Sequence, residues 1–302
     1  MTPLLVAGTL AATVAIRIPS LLTTRQISFD EGVYGASVMA MRDGAAPFRD
    51  IFSSQGPLFL PVLWLFDVAG LRHVRAIRLA MIAAALAVTI GTYVLARRVG
   101  SRGTATLAAL VIGTSSTFLA AAGPVQSDGV ALAFAVWAVV IAMEPEHGRL
   151  GRYRPLMVGI LIGSAVAVKT VFAAPAGLAV AWLFVARRRA NRLLAATGVG
   201  MLVVLAASLP WGLGNVWEQV VSFHLGAPRR RDPIFTLRRI GETLLAGEAP
   251  LLLMAAGGVV FAAVAWRTAA ARLHDRRVEA TALMIWLAAT VVLLTVVVGF
   301  GH

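Results

Sequence analysis

Pro57-Leu58-Phe59-Leu60-Pro61-Val62-Leu63-Trp64-Leu65-Phe66-Asp67-Val68-Ala69 is the stretch whose reading decides the fold. Thirteen residues make about 20 Å of helix, short of the ~30 Å hydrocarbon core of a bilayer. Pro61 and Asp67 weaken it further as a span. Around it, apolar segments at 4–22, 79–96, 103–122, 128–143, 155–168, 171–186, 193–211, 249–266 and 280–300 alternate with charged loops. If 57–69 does not cross, loops 97–102, 144–154, 187–192 and 267–279 share one side and carry fourteen arginines, from Arg97, Arg98 and Arg102 to Arg276 and Arg277. That side is the inside by the positive-inside rule, and a crossing 57–69 would put all four loops outside. The segment therefore reads as a membrane-surface or re-entrant helix in a long first outer loop, about 23–74. The stretch 155–186 is too long for one span. Lys169 and Pro175 interrupt it, which predicts a hairpin turning near Lys169. The result is nine spans, an inside N-terminus and a second outer loop at about 212–248.

Composition agrees. The chain has 302 residues, 59% of them hydrophobic and 14% charged, with a mean hydropathy of +0.83. This is an all-α, polytopic transmembrane helix bundle, read as one domain over 1–302. The net charge of +13 raises nucleic acid as a partner. That partner is excluded, because the basic residues sit in short loops and no polar segment reaches domain size. There is no cysteine, hence no disulfide framework and no thiol chemistry. Met1–Leu22 lacks a basic n-region and a clean small-residue cleavage site, so it reads as a retained first span. Two features oppose this scheme. Arg229, Arg230, Arg231, Arg238 and Arg239 fall in the second outer loop, against the orientation rule. The chain also stops at the membrane edge, at Phe300-Gly301-His302, as a fragment or a short paralogue would.

The arginine loops bring costly polar groups to the outer face without having been chosen to do so. Asp30 and Glu31 follow the first span, in Phe29-Asp30-Glu31-Gly32-Val33-Tyr34. Asp50 and Gln55 lie in Arg49-Asp50-Ile51-Phe52-Ser53-Ser54-Gln55-Gly56-Pro57-Leu58. Asp128 opens the fifth apolar segment after Gln126-Ser127, and Lys169, the single lysine, sits at the hairpin turn. His224 and the arginines belong to the second outer loop. Each has a plain structural explanation: Ser28 or Asp30 capping a helix, Asp128 as an N-cap, Lys169 snorkelling, Asp50 paired with Arg49 or Arg42, His224 structural, and the arginines attracted passively to headgroups. Their joint occurrence favours a site. The sequence expectation is that Asp30, Asp50 and Asp128 line one outer-face cavity with Lys169 at its membrane wall.

Gly-rich phosphate loops, Cys/His metal spacings and Gly-x-Ser-x-Gly are absent from the sequence. Carboxylates with cations at a membrane surface suit transfer of a sugar from a lipid phosphate. A carboxylate takes the acceptor's proton, and cationic groups stabilise charge building on the phosphate leaving group.

At these residues the chain resembles the GT-C superfamily of polytopic glycosyltransferases, in the branch of protein O-mannosyltransferases and aminoarabinose–lipid A transferases. Asp30-Glu31, the Asp-Glu-Gly-x-Tyr string, the Arg-Asp-x-Phe-x-x-Gln-Gly-Pro-Leu string, Ser127-Asp128-Gly129 and Lys169 carry the likeness, over about 1–245. It implies an inverting transferase using a polyprenyl-phosphate sugar, set in a bacterial plasma membrane with its site outward. Asp30 would be the general base. Glu31, Asp50 and Asp128 would orient acceptor or sugar, or hold a divalent cation. Gln55 and His224 would bind substrate, and Lys169 with Arg229, Arg230 and Arg231 would hold the phosphate. Membrane lipids are partners, and the acceptor is a glycan, lipid or protein. Members of the family continue past the equivalent of His302. Two other readings stay open: a transporter or flippase of an anionic lipid, and a non-catalytic membrane scaffold.

Overall fold

The computed structural model describes residues 2–22, 28–73, 75–122, 124–144, 151–226, 234–235, 238, 241–242 and 274–293. Among them every regular element is helical, with one isolated bridge between Pro47 and Ile51. Ile77–Val99, Gly151–Ala186 and Ala190–Trp211 are each long and apolar enough to cross a membrane. The molecule is an all-α helical membrane protein.

The first hydrophobic segment is α1 (Thr2–Ala15) and α2 (Ile18–Leu22), and the next is α5 (Ile77–Val99). The Arg75 guanidinium, just before α5, donates to the carbonyls of Leu21 (3.2 Å) and Leu22. The chain therefore leaves one segment and enters the next at the same end of the bundle. Between them lie α3 (Phe29–Arg42) and α4 (Phe59–Ala69). With eleven residues, about 16 Å, α4 is too short to cross. It packs instead on α3 and α5, with Phe59 edge-on to Tyr34 at 4.9 Å between ring centroids. Asp67, 1% exposed, is clasped by two guanidinium nitrogens of Arg42 from the end of α3. That pairing is how an aspartate is accommodated on an apolar helix.

The chain then runs through α6 (Arg102–Thr114), α7 (Ser116–Ala122), α8 (Ser127–Ala142), α9 (Arg154–Ala186) and α10 (Ala190–Ser208). Arg154, at the start of α9, feels the charges of Arg187 and Arg192 beyond its end. A straight 33-residue helix would hold those groups about 50 Å apart. The two arms of α9 therefore fold back on each other, as expected, and the turn is Lys169 itself (φ −161°, ψ 107°). The loop after α3 stabilises that turn. Gly56 N donates to Val168 O (3.1 Å) and Leu58 N to Ala167 O (2.9 Å), satisfying carbonyls that the first arm leaves free at its end. Pro57 between them has no N–H to lose. A Cβ on Gly56 would sit 2.2 Å from Ala167 O, so only glycine fits. Lower down, a Cβ on Gly163 would meet Gly200 O at 2.6 Å, and the first arm lies against α10 through such small residues.

At the opposite end, Arg98 donates to Met143 O (3.1 Å) and pairs with Glu144. Arg187 donates to Ala142 O (2.9 Å) and pairs with Glu279 at 3.1 Å. These cations close the C-terminus of α8, where the helix dipole favours positive charge. Glu279 belongs to the helix His274–Val292, which begins within the expected loop 267–279. Helices fall in eight of the nine expected spans among the described residues, the last of them followed to 293, and the expected span 249–266 lies outside the described residues.

Two expected continuous spans are broken. Segment 4–22 is split between α1 and α2, and segment 103–122 is split at Ser115 between α6 and α7. Arg17, 1% exposed, joins the two breaks. It donates to Thr13 O (2.8 Å) and Gly113 O (2.9 Å) and lies over the Phe118 ring at 5.2 Å. A buried guanidinium in an apolar bundle needs such carbonyl acceptors.

Candidate functional site

Four chain segments meet at the acidic end of the bundle. The first is the first turn of α3. Its N-cap is Ser28, whose hydroxyl accepts from Glu31 N at 3.2 Å, so Asp30 is not needed as a cap. Asp30 is half-buried and accepts from Gln126 Nε2 at 3.4 Å. Gln126 occupies the N-cap position of α8 without a side-chain capping hydrogen bond, and Asp128 stands two residues on, in the first turn. The Asp128 carboxylate pairs with the Lys169 ammonium at the hairpin turn. Ser127 Oγ donates to Gln55 Oε1 at 2.7 Å, bringing in the loop that caps the hairpin.

Tyr34 ties these together. It stands one helical turn after Asp30 on the same face of α3 and is buried. Burial, then the charge of Asp30 and then that of Asp128 push its hydroxyl up to about 12, while a hydrogen bond with Gln55 pulls the other way. Its O–H is thus a fixed neutral donor beside two carboxylates. The sequence reading quoted Tyr34 but gave it no role. Its spacing from Asp30 was the available signal.

Other expected site residues go elsewhere. Glu31, 8% exposed, is turned into the protein and paired with Arg78 in the first turn of α5. Asp50 accepts from Ala46 N (2.8 Å) and pairs with Arg49 (3.1 Å). The Arg49 guanidinium first, and the Ala46 amide second, hold its carboxyl below the usual aspartate range. It closes its own loop and does not join Asp30 and Asp128. His224 binds its own helical segment, with Nδ1 2.7 Å from Val220 O. Arg229, Arg230 and Arg231 lie outside the described residues. Among the described residues no three of His, Asp and Glu come together. With Glu31 on Arg78 and Asp128 on Lys169, the described donor set does not fit a dedicated divalent-cation site.

Beside this cluster lies an apolar cavity of about 860 Å³. The first arm of α9, α10 and the segment 213–221 wall it, with Val158, Ile162, Val204 and Trp217 among its lining. At the acidic end it reaches Pro57 and Thr170, the neighbours of the capping amides and of Lys169. The π-helical turn Trp217–Ser222 forms part of this wall. Gln219 in that turn anchors it to the first outer loop: its Oε1 accepts from Ser53 N (2.9 Å) and its Nε2 donates to Phe48 O (2.8 Å). Phe52 packs edge-on to Phe223 at 5.2 Å. Partners some 170 residues away leave no mark around Gln219 in the sequence.

No protein-family profile and no curated protein matches this chain. Among solved structures it is similar to ArnT from Cupriavidus metallidurans in the apo state, with a TM-score of 0.63 and 18% identity. The match covers 95% of this chain and 59% of that one, so the chain spans about three fifths of its structural neighbour. The likeness is one of fold.

Proposed function

We propose that this chain is a membrane glycosyltransferase of the GT-C type, moving a sugar from a polyprenyl-phosphate donor to an acceptor hydroxyl. One observation supports this reading above the others: the apolar cavity reaches Thr170, so a lipid tail held there delivers its phosphate to Lys169 and the Asp30–Asp128 cluster. In this reading the acidic end faces outward from a bacterial plasma membrane. Arg229, Arg230 and Arg231 add positive charge for the phosphate, and the acceptor is a glycan, lipid or protein.

Asp30 takes the proton of the acceptor hydroxyl as the new glycosidic bond forms. Gln126 orients its carboxylate, and Tyr34 donates to oxygen atoms in the cluster without adding charge. As the bond from the sugar carbon to the phosphate oxygen breaks, its electron pair stays on the phosphate. Lys169 and the N-terminal end of the second arm of α9 stabilise that charge. Attack opposite the leaving phosphate inverts the anomeric centre. A lipid flippase would also use the cavity. The acids favour transfer, because a flippase gains nothing from a base at one end of its path.

The test is incubation of the reconstituted protein with labelled polyprenyl-phosphate sugars. The expected result is one sugar leaving its carrier, with transfer by Asp30→Asn down roughly 10²–10⁴-fold at unchanged helical content. Intact lipid-linked sugar moved between leaflets would favour the flippase. Near-normal transfer by Asp30→Asn would remove Asp30 as the base.

A further inference from the structure

Lys169 is not waiting empty for a phosphate: its ammonium is paired with Asp128. Both side chains are partly open, at 33% and 25% exposure. The Lys169 backbone is held from the other side by the Gly56 and Leu58 amides, through Val168 and Ala167. The lysine's anchor is therefore rigid while its ammonium can exchange partners. Asp128 sits in the first turn of α8, two residues after the N-cap position, and its carboxylate is bonded to Lys169.

We propose, resting on the donor reading above, that Asp128 and the lipid phosphate compete for Lys169. Before the donor arrives, Asp128 neutralises the lysine. A phosphate at Thr170 then takes the ammonium, and the released carboxylate becomes free for sugar hydroxyls. The chemistry also runs in reverse. A polyprenyl-phosphate sugar is a diester with one negative charge, whereas the polyprenyl phosphate left after transfer is a monoester carrying about −1.5 to −2. The product thus holds Lys169 more tightly than the substrate does, and the return of Asp128 to the lysine helps to expel it. Asp128 is a displaceable counter-ion, a positioning residue acting through Lys169.

The test is a double-mutant cycle on lipid affinity, read by native mass spectrometry of the full chain at low salt. The probes are polyprenyl phosphate, the matching polyprenyl alcohol and phosphatidylglycerol. Asp128→Asn, and independently Asp128→Ser, are expected to bind polyprenyl phosphate roughly three- to tenfold more tightly than wild type, as for loss of a partly exposed competing ion pair. Lys169→Met is expected to weaken it roughly tenfold, and Asp128→Asn is expected to add nothing in the Lys169→Met background. The alcohol should respond to none of these changes. A purely structural pair would weaken binding in every variant, and that outcome overturns the proposal, as does equal tightening without Lys169. If phosphate and alcohol bind wild type equally, the donor reading itself falls. If phosphatidylglycerol tightens as much as polyprenyl phosphate, the assignment to a polyprenyl donor is overturned.

Discussion

Asp30 and Glu31 are neighbours in sequence and opposites in role. Consecutive residues on a helix point about 100° apart, so Asp30 reaches Gln126 while Glu31 reaches Arg78. Glu31→Gln is therefore expected to act on stability, by removing the charge that faces a buried guanidinium, at a cost of roughly 3 kcal/mol. A thermal melt in detergent checks this. An unchanged melting temperature with lost transfer would return Glu31 to the site. Tyr34, one turn on, faces the same way as Asp30, and its elevated ionisation gives a sign that can be tested. An unfolded tyrosine ionises near pH 10, and the folded one at about 12. Between those values the unfolded state has released the proton and the folded state retains it. The stability contributed by Tyr34 is thus fully present below pH ~10 and is lost as pH rises toward ~12. Absorbance titration of the protein against Tyr34→Phe should show the missing chromophore to be one that ionises near pH 12.

At the scale of elements, the first outer loop is a brace. It caps the hairpin of α9 through Gly56 and Leu58, receives Ser127 through Gln55, and is clasped to the cavity wall by Gln219. Gly56→Ala tests the brace where it has least room, since the new methyl would overlap the Ala167 carbonyl. The expected cost is about 1–3 kcal/mol in stability. Transfer should fall with it, because Lys169 and Gln55 shift together. Measured turnover that survives with an unaltered melt would show that the loop and the hairpin are not mechanically joined. α4 belongs to the same brace: its Asp67 holds the end of α3 through Arg42, and so fixes the tilt of the helix that presents Asp30.

Over the whole molecule, among the described residues, basic side chains stand at both ends of the bundle, and on the acidic side Arg42, Arg49, Arg78 and Lys169 are each paired with an acid. Arg98, Arg154, Arg187 and Arg192 gather at one end, with Asp30, Asp128 and Lys169 at the other. By the positive-inside rule the four arginine-rich loops are expected inside and the acidic end outward. The chain contains no cysteine, so introduced thiols have a clean background. Ser222→Cys is expected to react with a membrane-impermeant maleimide added outside intact cells, and Ser101→Cys to be protected. Labelling of Ser101→Cys from outside, with Ser222→Cys protected, would invert the molecule and move the cluster to the cytoplasmic face.

Sequence by itself determined the all-α class, the shortness of the 57–69 segment and the turn at Lys169. These follow from span length and loop charge, which are local quantities that add along the chain. Asp30, Glu31, Asp50, Gln55, Asp128, Lys169 and His224 were read as one group for the same reason, since a shared membrane face is a matter of parity. Only the tertiary structure decided which members touch. Contact depends on the rotation and depth of each helix, set by packing between segments far apart in sequence. Hence Glu31 turned to Arg78, Asp50 closed its own loop, and Arg17 broke two expected spans by reaching Gly113. Gln219 joined the cavity wall to the first outer loop by the same long-range packing. Hydropathy and charge carry the depth of a residue across the membrane but not the direction in which its side chain points.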